Sequence, residues 1–174
     1  MVSQGLPPVL IERLGEDHAR IAGIVAQLKA LLDDLTPELD WRSFSELLEF
    51  LEYYADRVHH PLEDRLFDHL VNKGLTPVER RLVFKNLGQH EEIKALTETL
   101  IELSGRALAG SAVDEDEFRD VAAAYVGLQH RHMRFEESHL FPLLEAEFDN
   151  KDWNALMGIL EHSPEATTRA EVGS

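Results

Sequence analysis

Four long segments of the chain carry apolar residues at the spacing of an amphipathic helix. In the first segment Leu14, Ile21 and Leu28 lie seven positions apart, with charged residues between them. Proline and glycine fall mainly between the segments, as at Thr36-Pro37 and Gly74, where they end helices. No segment alternates apolar and polar residues over a useful length. The pattern predicts an all-α protein, an antiparallel up-down-up-down four-helix bundle with a short C-terminal fifth helix.

Local signals mark the ends of these helices. Thr76-Pro77-Val78-Glu79 combines a capping box with proline at the first helical position, so a helix is expected from there to about Leu108. The bundle is expected to form one domain over residues 1–162, followed by a disordered tail over residues 163–174. The other helices after the first are expected over residues 39–73, 114–148 and 152–161.

The composition excludes several classes of protein. The 174 residues contain no cysteine, which excludes disulfides, thiolate metal sites and cysteine nucleophiles and suits a reducing cytoplasm. The net charge of −16 disfavours nucleic acid and anionic membranes as partners. No apolar run is long enough to span a bilayer, and residues 1–10 lack the features of a signal peptide. We therefore expect a cytoplasmic protein that is a monomer or a weak homodimer.

One short pattern occurs twice, in the second and fourth helices. His59 and Glu63 form a His-x-x-x-Glu pair, as do His132 and Glu136, and each pair is followed by Leu-Phe. Residues four apart lie on one face of a helix, so an imidazole and a carboxylate can share a metal ion. Both pairs lie in the apolar stripe, where a glutamate is costly unless it is paired or bound to metal.

The first and third helices each place one histidine in the apolar stripe. These are His18 and His90. His18 lies 18 residues before Thr36, and His59 lies 19 residues after Asp40. For the other neighbouring helices, the distances of the ligands from the connecting turn also agree to within about one helical turn. In an up-down-up-down bundle, all six side chains therefore lie in one layer across the core.

The six side chains are suited to binding metal. Four imidazoles and two carboxylates are ligands for iron, manganese or zinc. Two ions explain six ligands better than one, because carboxylates can bridge. If two octahedral ions share both glutamates and one oxygen bridge, about two positions remain for small ligands. The predicted metal ligands are His18, His59, Glu63, His90, His132 and Glu136.

Several neighbouring residues have open roles. His60 points about 100° away from His59 around an α-helix, and it is a fifth ligand, a hydrogen-bond partner of a ligand, or solvent-facing. His139 and Glu137 are further candidates for a ligand or a partner of one. Tyr54 and Tyr125 lie near the layer, where a phenol packs in the core or lines a pocket for a small ligand. Pro61 and Pro142 each remove a helical hydrogen bond, so local kinks are expected beside the layer.

At these residues the sequence resembles the haemerythrin-like, or HHE cation-binding, domains. The family pattern is a histidine on helices one and three and a His-x-x-x-Glu pair on helices two and four. The segments Asp56-Arg57-Val58-His59-His60-Pro61 and Leu140-Phe141-Pro142 resemble its bacterial single-domain branch. The resemblance implies two iron ions joined by an oxygen bridge, with manganese or zinc as substitutes, that bind O₂ or related small oxidants. Respiratory haemerythrins carry a second histidine on helix three, where this chain has Lys94, and the difference disfavours simple O₂ carriage.

Three functions stay open at this level. The first is a non-haem di-iron protein that binds or reacts with O₂, peroxide or nitric oxide, as a sensor or scavenger rather than a simple O₂ carrier. This function includes a peroxide-decomposing or oxidase-like activity. The second is an iron-handling or iron-sensing protein. The third is a helical interaction module without metal, in which the histidines are structural. The sequence identifies no protein partner.

Overall fold

A computed structural model of the protein describes residues 7–33 and 39–161, and every regular element within them is helical. The described residues do not include the predicted tail over residues 163–174 or His162 before it. They also do not include Thr36-Pro37, where the first helix is expected to end. None of the described helices combines the length and the apolar character that crossing a membrane requires. The helices are α1 (Pro7–Asp33), α2 (Trp41–Leu51), α3 (His60–Val71), α4 (Pro77–Leu108), α5 (Glu115–Phe135), α6 (Phe141–Glu147) and α7 (Asn150–Glu161).

Two π-helical segments each join a pair of α-helices into one longer rod. The first, π1 (Glu52–His59), connects α2 to α3, and the second, π2 (Glu136–Leu140), connects α5 to α6. Each turn directly precedes the dipeptide that ends in Pro61 or Pro142. Proline lacks an N–H, and its ring clashes with the carbonyl four residues earlier, so the wider π turn accommodates it. The distortion expected at both prolines takes this form.

The long helices pack around one core as the predicted antiparallel four-helix bundle. α1 contacts α2 and α5, and α4 contacts the same two helices from the other side. The connections are short, as expected for antiparallel neighbours. α7 is the predicted short fifth helix, and its Trp153 packs edge-on against Phe148 with ring centroids 4.9 Å apart. The fold class predicted from the sequence is confirmed.

The helix ends follow the local signals in the sequence. The hydroxyl of Thr76 accepts a hydrogen bond from the backbone N–H of Glu79, and the Glu79 carboxylate accepts one from the N–H of Thr76. This reciprocal cap begins α4 at the predicted residue. Gly74 and Gly110 follow the ends of α3 and α4 with φ of 87° and 76°, a conformation in which a side chain would be strained.

The core has two apolar halves. One contains Phe44 and Phe118, and the other contains Phe67, Leu144 and Trp153. On α1 and α4 the single predicted ligand falls between the two halves, and on the other two rods the His-x-x-x-Glu pair lies where one half meets the other. The apolar core therefore encloses a polar layer on both sides.

Candidate metal centre

The polar layer brings together all six residues predicted from the spacing. One comes from α1, one from α4, and the two pairs come from the segments around π1 and π2. Each is at most 5% exposed. The six are His18, His59, Glu63, His90, His132 and Glu136.

Their side-chain atoms form two overlapping groups of donors. Glu63 and Glu136 belong to both groups. His18 and His59 complete the first group, and two histidines of α4 and α5 complete the second; in each group the donor atoms lie within 4.8 Å of one another. Nε2 of His18 lies 3.1 Å from Oε2 of Glu136, and Nε2 of His59 lies 3.3 Å from Oε1 of Glu63. Both carboxylates thus lie between the two sets of imidazoles.

In the second group the same ring nitrogen faces the carboxylates. Nε2 of His90 lies 3.3 Å from Oε1 of Glu136, and Nε2 of His132 lies 3.4 Å from the other oxygen of that residue. Glu63 approaches His90 at 3.5 Å. The arrangement is therefore alike on both sides of the shared glutamates.

The opposite ring nitrogens point outward to other oxygen atoms. Nδ1 of His18 donates a hydrogen bond to Glu137 at 2.9 Å, and Nδ1 of His90 donates one to Asp64 at 2.7 Å. An imidazole that donates from Nδ1 keeps a lone pair on Nε2 when it is neutral. This combination is typical of histidines that bind metal.

The remaining histidines of the two groups have weaker outer contacts of the same kind. Nδ1 of His59 lies 3.6 Å from Oδ2 of Asp17, whose other oxygen accepts a hydrogen bond from the hydroxyl of Tyr54. Nδ1 of His132 lies 3.5 Å from Oε1 of Gln89. Tyr54 is therefore connected to the layer through Asp17.

His60 also lies in the layer. Its ring stacks on that of His90 at 4.4 Å and meets the ring of His132 edge-on at 5.3 Å, and donor atoms of these three lie within 4.8 Å of one another. Nδ1 of His60 lies 3.3 Å from Oδ1 of Asp56. π1 ends at His59, and the neighbouring residues His59 and His60 are both buried in the core.

The layer contains many buried polar atoms without a partner at hydrogen-bond geometry. Within the described residues, seven such atoms belong to the six predicted ligands, including both oxygens of Glu63 and Nε2 of His18, His59 and His132. Buried polar atoms are almost always satisfied in folded proteins. Imidazole and carboxylate together are ligands that iron, manganese and zinc accept. The residues present therefore fit a transition-metal site.

The comparison with protein families agrees with this chemistry. Residues 9–146 match the haemerythrin HHE cation-binding domain. The chain belongs to that family. The matched segment contains every residue of the two donor groups. A search of the curated proteins gives no match.

In this haemerythrin domain, electrostatics couple the glutamates to the imidazoles. Burial opposes the charged form of His18, but the carboxylates of Glu136 and Glu63 outweigh it and raise the pKa of His18 to about 10. Burial likewise opposes the ionised form of Glu63, but His59 and His18 hold the pKa of its carboxyl well below the usual range. By contrast, burial lowers the pKa of His132 to about 4. The protein alone therefore balances the charge of the carboxylates with protonated imidazoles, which a bound cation would replace.

His139 lies away from the cluster. It is exposed, its ring stacks on Phe135 at 4.9 Å, and its Nδ1 donates to the backbone oxygen of that residue at 3.1 Å. In a regular α-helix His139, seven residues after His132 and three after Glu136, would share their face. The wider turn of π2 carries it off that face.

The two tyrosines predicted for a pocket are buried parts of the core. The hydroxyl of Tyr125 accepts a hydrogen bond from the amide of Gln129 at 3.0 Å, and burial raises the pKa of the phenol. A groove beside His18, between α1 and α5, is lined by neither Tyr125 nor Tyr54. The tyrosines therefore do not line this approach to the cluster.

Asn86 belongs to the layer although the sequence analysis missed it. The residue is fully buried on α4, where its amide donates to Oε1 of Glu136 at 2.7 Å and lies 3.3 Å from Nε2 of His90. The sequence spacing could have identified it, because Asn86 lies four residues before His90 and therefore on the same helix face. Asn86 holds one of the two shared carboxylates in place.

Proposed function

We propose that this haemerythrin domain binds two iron ions side by side, with manganese or zinc as substitutes. The observation that carries the proposal is that two groups of four donor atoms share both glutamates. Since one carboxylate can offer an oxygen to each of two ions, this sharing favours a pair of ions over a single one. The proposed ligands are His18, His59, Glu63, His90, His132 and Glu136.

We further propose His60 as a seventh ligand, on the side of His90 and His132. The support is its contact with both rings. With six protein ligands, about two coordination positions on the two ions stay open for small ligands; with His60 added, about one stays open. The two sides become unequal, with three imidazoles on one and two, His18 and His59, on the other. The open position would then belong to the side with two. With His60 supplying the further imidazole, Lys94 would no longer disfavour reversible O₂ binding.

The proposed activity is binding of, or reaction with, O₂, peroxide or nitric oxide. Bound iron would supply one-electron redox chemistry and a position for a small ligand. The chain itself excludes larger molecules, because each proposed ligand is at most 5% exposed. The hydrogen bonds of Glu137 and Asp64 fix the orientation of two of the imidazoles.

Metal analysis of the full chain, purified without oxygen, tests the proposal. We expect two iron ions per chain, near-ultraviolet absorption after oxidation, and a spectral change on adding peroxide, O₂ or nitric oxide. Glu63→Ala and Glu136→Ala should lose metal and remain helical, whereas Glu92→Ala, at an exposed position of α4, should keep both ions. A chain that binds no metal would support the interaction module. A loaded chain whose spectrum ignores all three molecules would support iron handling.

A further inference from the structure

The two sides of the cluster differ in how solvent approaches them. A groove of about 400 Å³ runs between α1 and α5, and its lining includes His18 together with Ala19, Ala22, Met133 and Glu137. Small side chains on α1 leave this space open. His18 is itself only 2% exposed, so it lies at the inner end of the groove and separates the groove from the shared glutamates.

Glu137 connects the groove to the cluster. Its side chain is 49% exposed, and it accepts the 2.9 Å hydrogen bond from Nδ1 of His18. The imidazole of His18 can turn toward the groove only if this bond opens. On the opposite side, His60 stacks on His90 at 4.4 Å. A second groove, of about 310 Å³, reaches Asp56 behind His60, but no proposed ligand lines it.

We propose that the groove between α1 and α5 is the passage by which one of the two metal ions, the one held by His18 and His59, exchanges with solution, and that Glu137 controls this exchange. The inference rests on the proposed function. The ion on this side has two imidazoles instead of three, and one of them borders the groove. The ion on the side of His90 would have three imidazoles, and none of the three lines this groove. The domain therefore holds one exchangeable ion and one retained ion.

Release of iron(II) to excess 2,2′-bipyridine without oxygen measures the exchange directly. Wild-type protein loaded with two ions should release them in two phases of equal amplitude. Glu137→Gln should accelerate the fast phase by about tenfold or more, as expected for loss of an outer hydrogen-bond partner. The matched variant is Asp64→Asn, since Asp64 is 45% exposed and bonds His90 in the same way; it should accelerate only the slow phase.

Filling the groove gives an independent test. Ala19→Trp places bulk in the groove at an exposed position and should slow the fast phase, while Ala95→Trp, at an exposed position of α4, should leave both phases unchanged. Release of both ions at one rate, or equal behaviour of the two tryptophan variants, would overturn the inference and leave the proposed function standing. A chain that takes up fewer than two ions would overturn both.

Discussion

Metal binding should contribute a large part of the stability of this domain. Seven buried donor and acceptor atoms of the six proposed ligands have no partner at hydrogen-bond geometry. Leaving one such atom unsatisfied costs about 1–3 kcal/mol, and the whole stability of a typical domain is about 5–15 kcal/mol. Without metal, protonated imidazoles such as that of His18 offset part of this cost. The metal-free protein is therefore expected to fold but to melt well below the loaded form.

The size of the effect follows from linkage. An ion present at 1,000 times its dissociation constant stabilises the folded state by about 4 kcal/mol per site. For a chain of this length, 1 kcal/mol corresponds to roughly 2–4 °C in Tm. Filling one site should thus raise Tm by roughly 8–16 °C, and filling the second should raise it further.

Thermal melts followed by circular dichroism measure this shift. The metal-free chain, prepared with a chelator, is compared with the same chain after stepwise addition of iron(II), manganese(II) or zinc(II). Glu63→Ala should lose most of the shift, whereas Glu92→Ala should keep it. Equal Tm with and without saturating metal would refute the argument, and it would mean that the buried histidines and glutamates satisfy one another.

Two further predictions concern other parts of the molecule. His60→Ala should weaken binding of one ion by at least 10–100-fold in a chelator competition, whereas His139→Ala should leave both affinities unchanged. Asp152→Asn should lower Tm at pH 7 by roughly 3–6 °C, because Asp152 accepts from His69 at 2.8 Å and Lys73 at 2.6 Å and fastens α7 to α3. Burial opposes ionisation of Asp152, but these two bonds hold the pKa of its carboxyl below the usual range. The higher Tm of the wild-type protein over Asp152→Asn is therefore fully present above about pH 4, and it should shrink as the pH falls toward the pKa of Asp152 in the folded state. A constant difference in Tm from pH 7 to pH 3 would contradict this.

The sequence by itself determined the helices and the layer. Helix periodicity and end signals are local properties of the chain, so Thr76 and Pro77 marked the start of α4 and Gly74 the end of α3. The distance of each histidine from the nearest turn is also a property of the sequence. In a bundle with short connections, those distances fix which residues face one another, and His18 and His90 could be placed on that ground.

The tertiary structure decided which residues face the layer where the chain departs from a regular α-helix. In a helix with 3.6 residues per turn His139 belongs to the inner face and His60 points elsewhere, but π1 and π2 change the register next to each proline, so His60 is buried and His139 is exposed. The sequence named Glu137 as a candidate partner of a ligand, but it did not indicate that the ligand is His18, and it gave no signal for Asp64 as the partner of His90. Which ring nitrogen of a histidine faces the glutamates depends on the oxygen atom that a neighbouring helix supplies, and only the packing of the helices determines that atom.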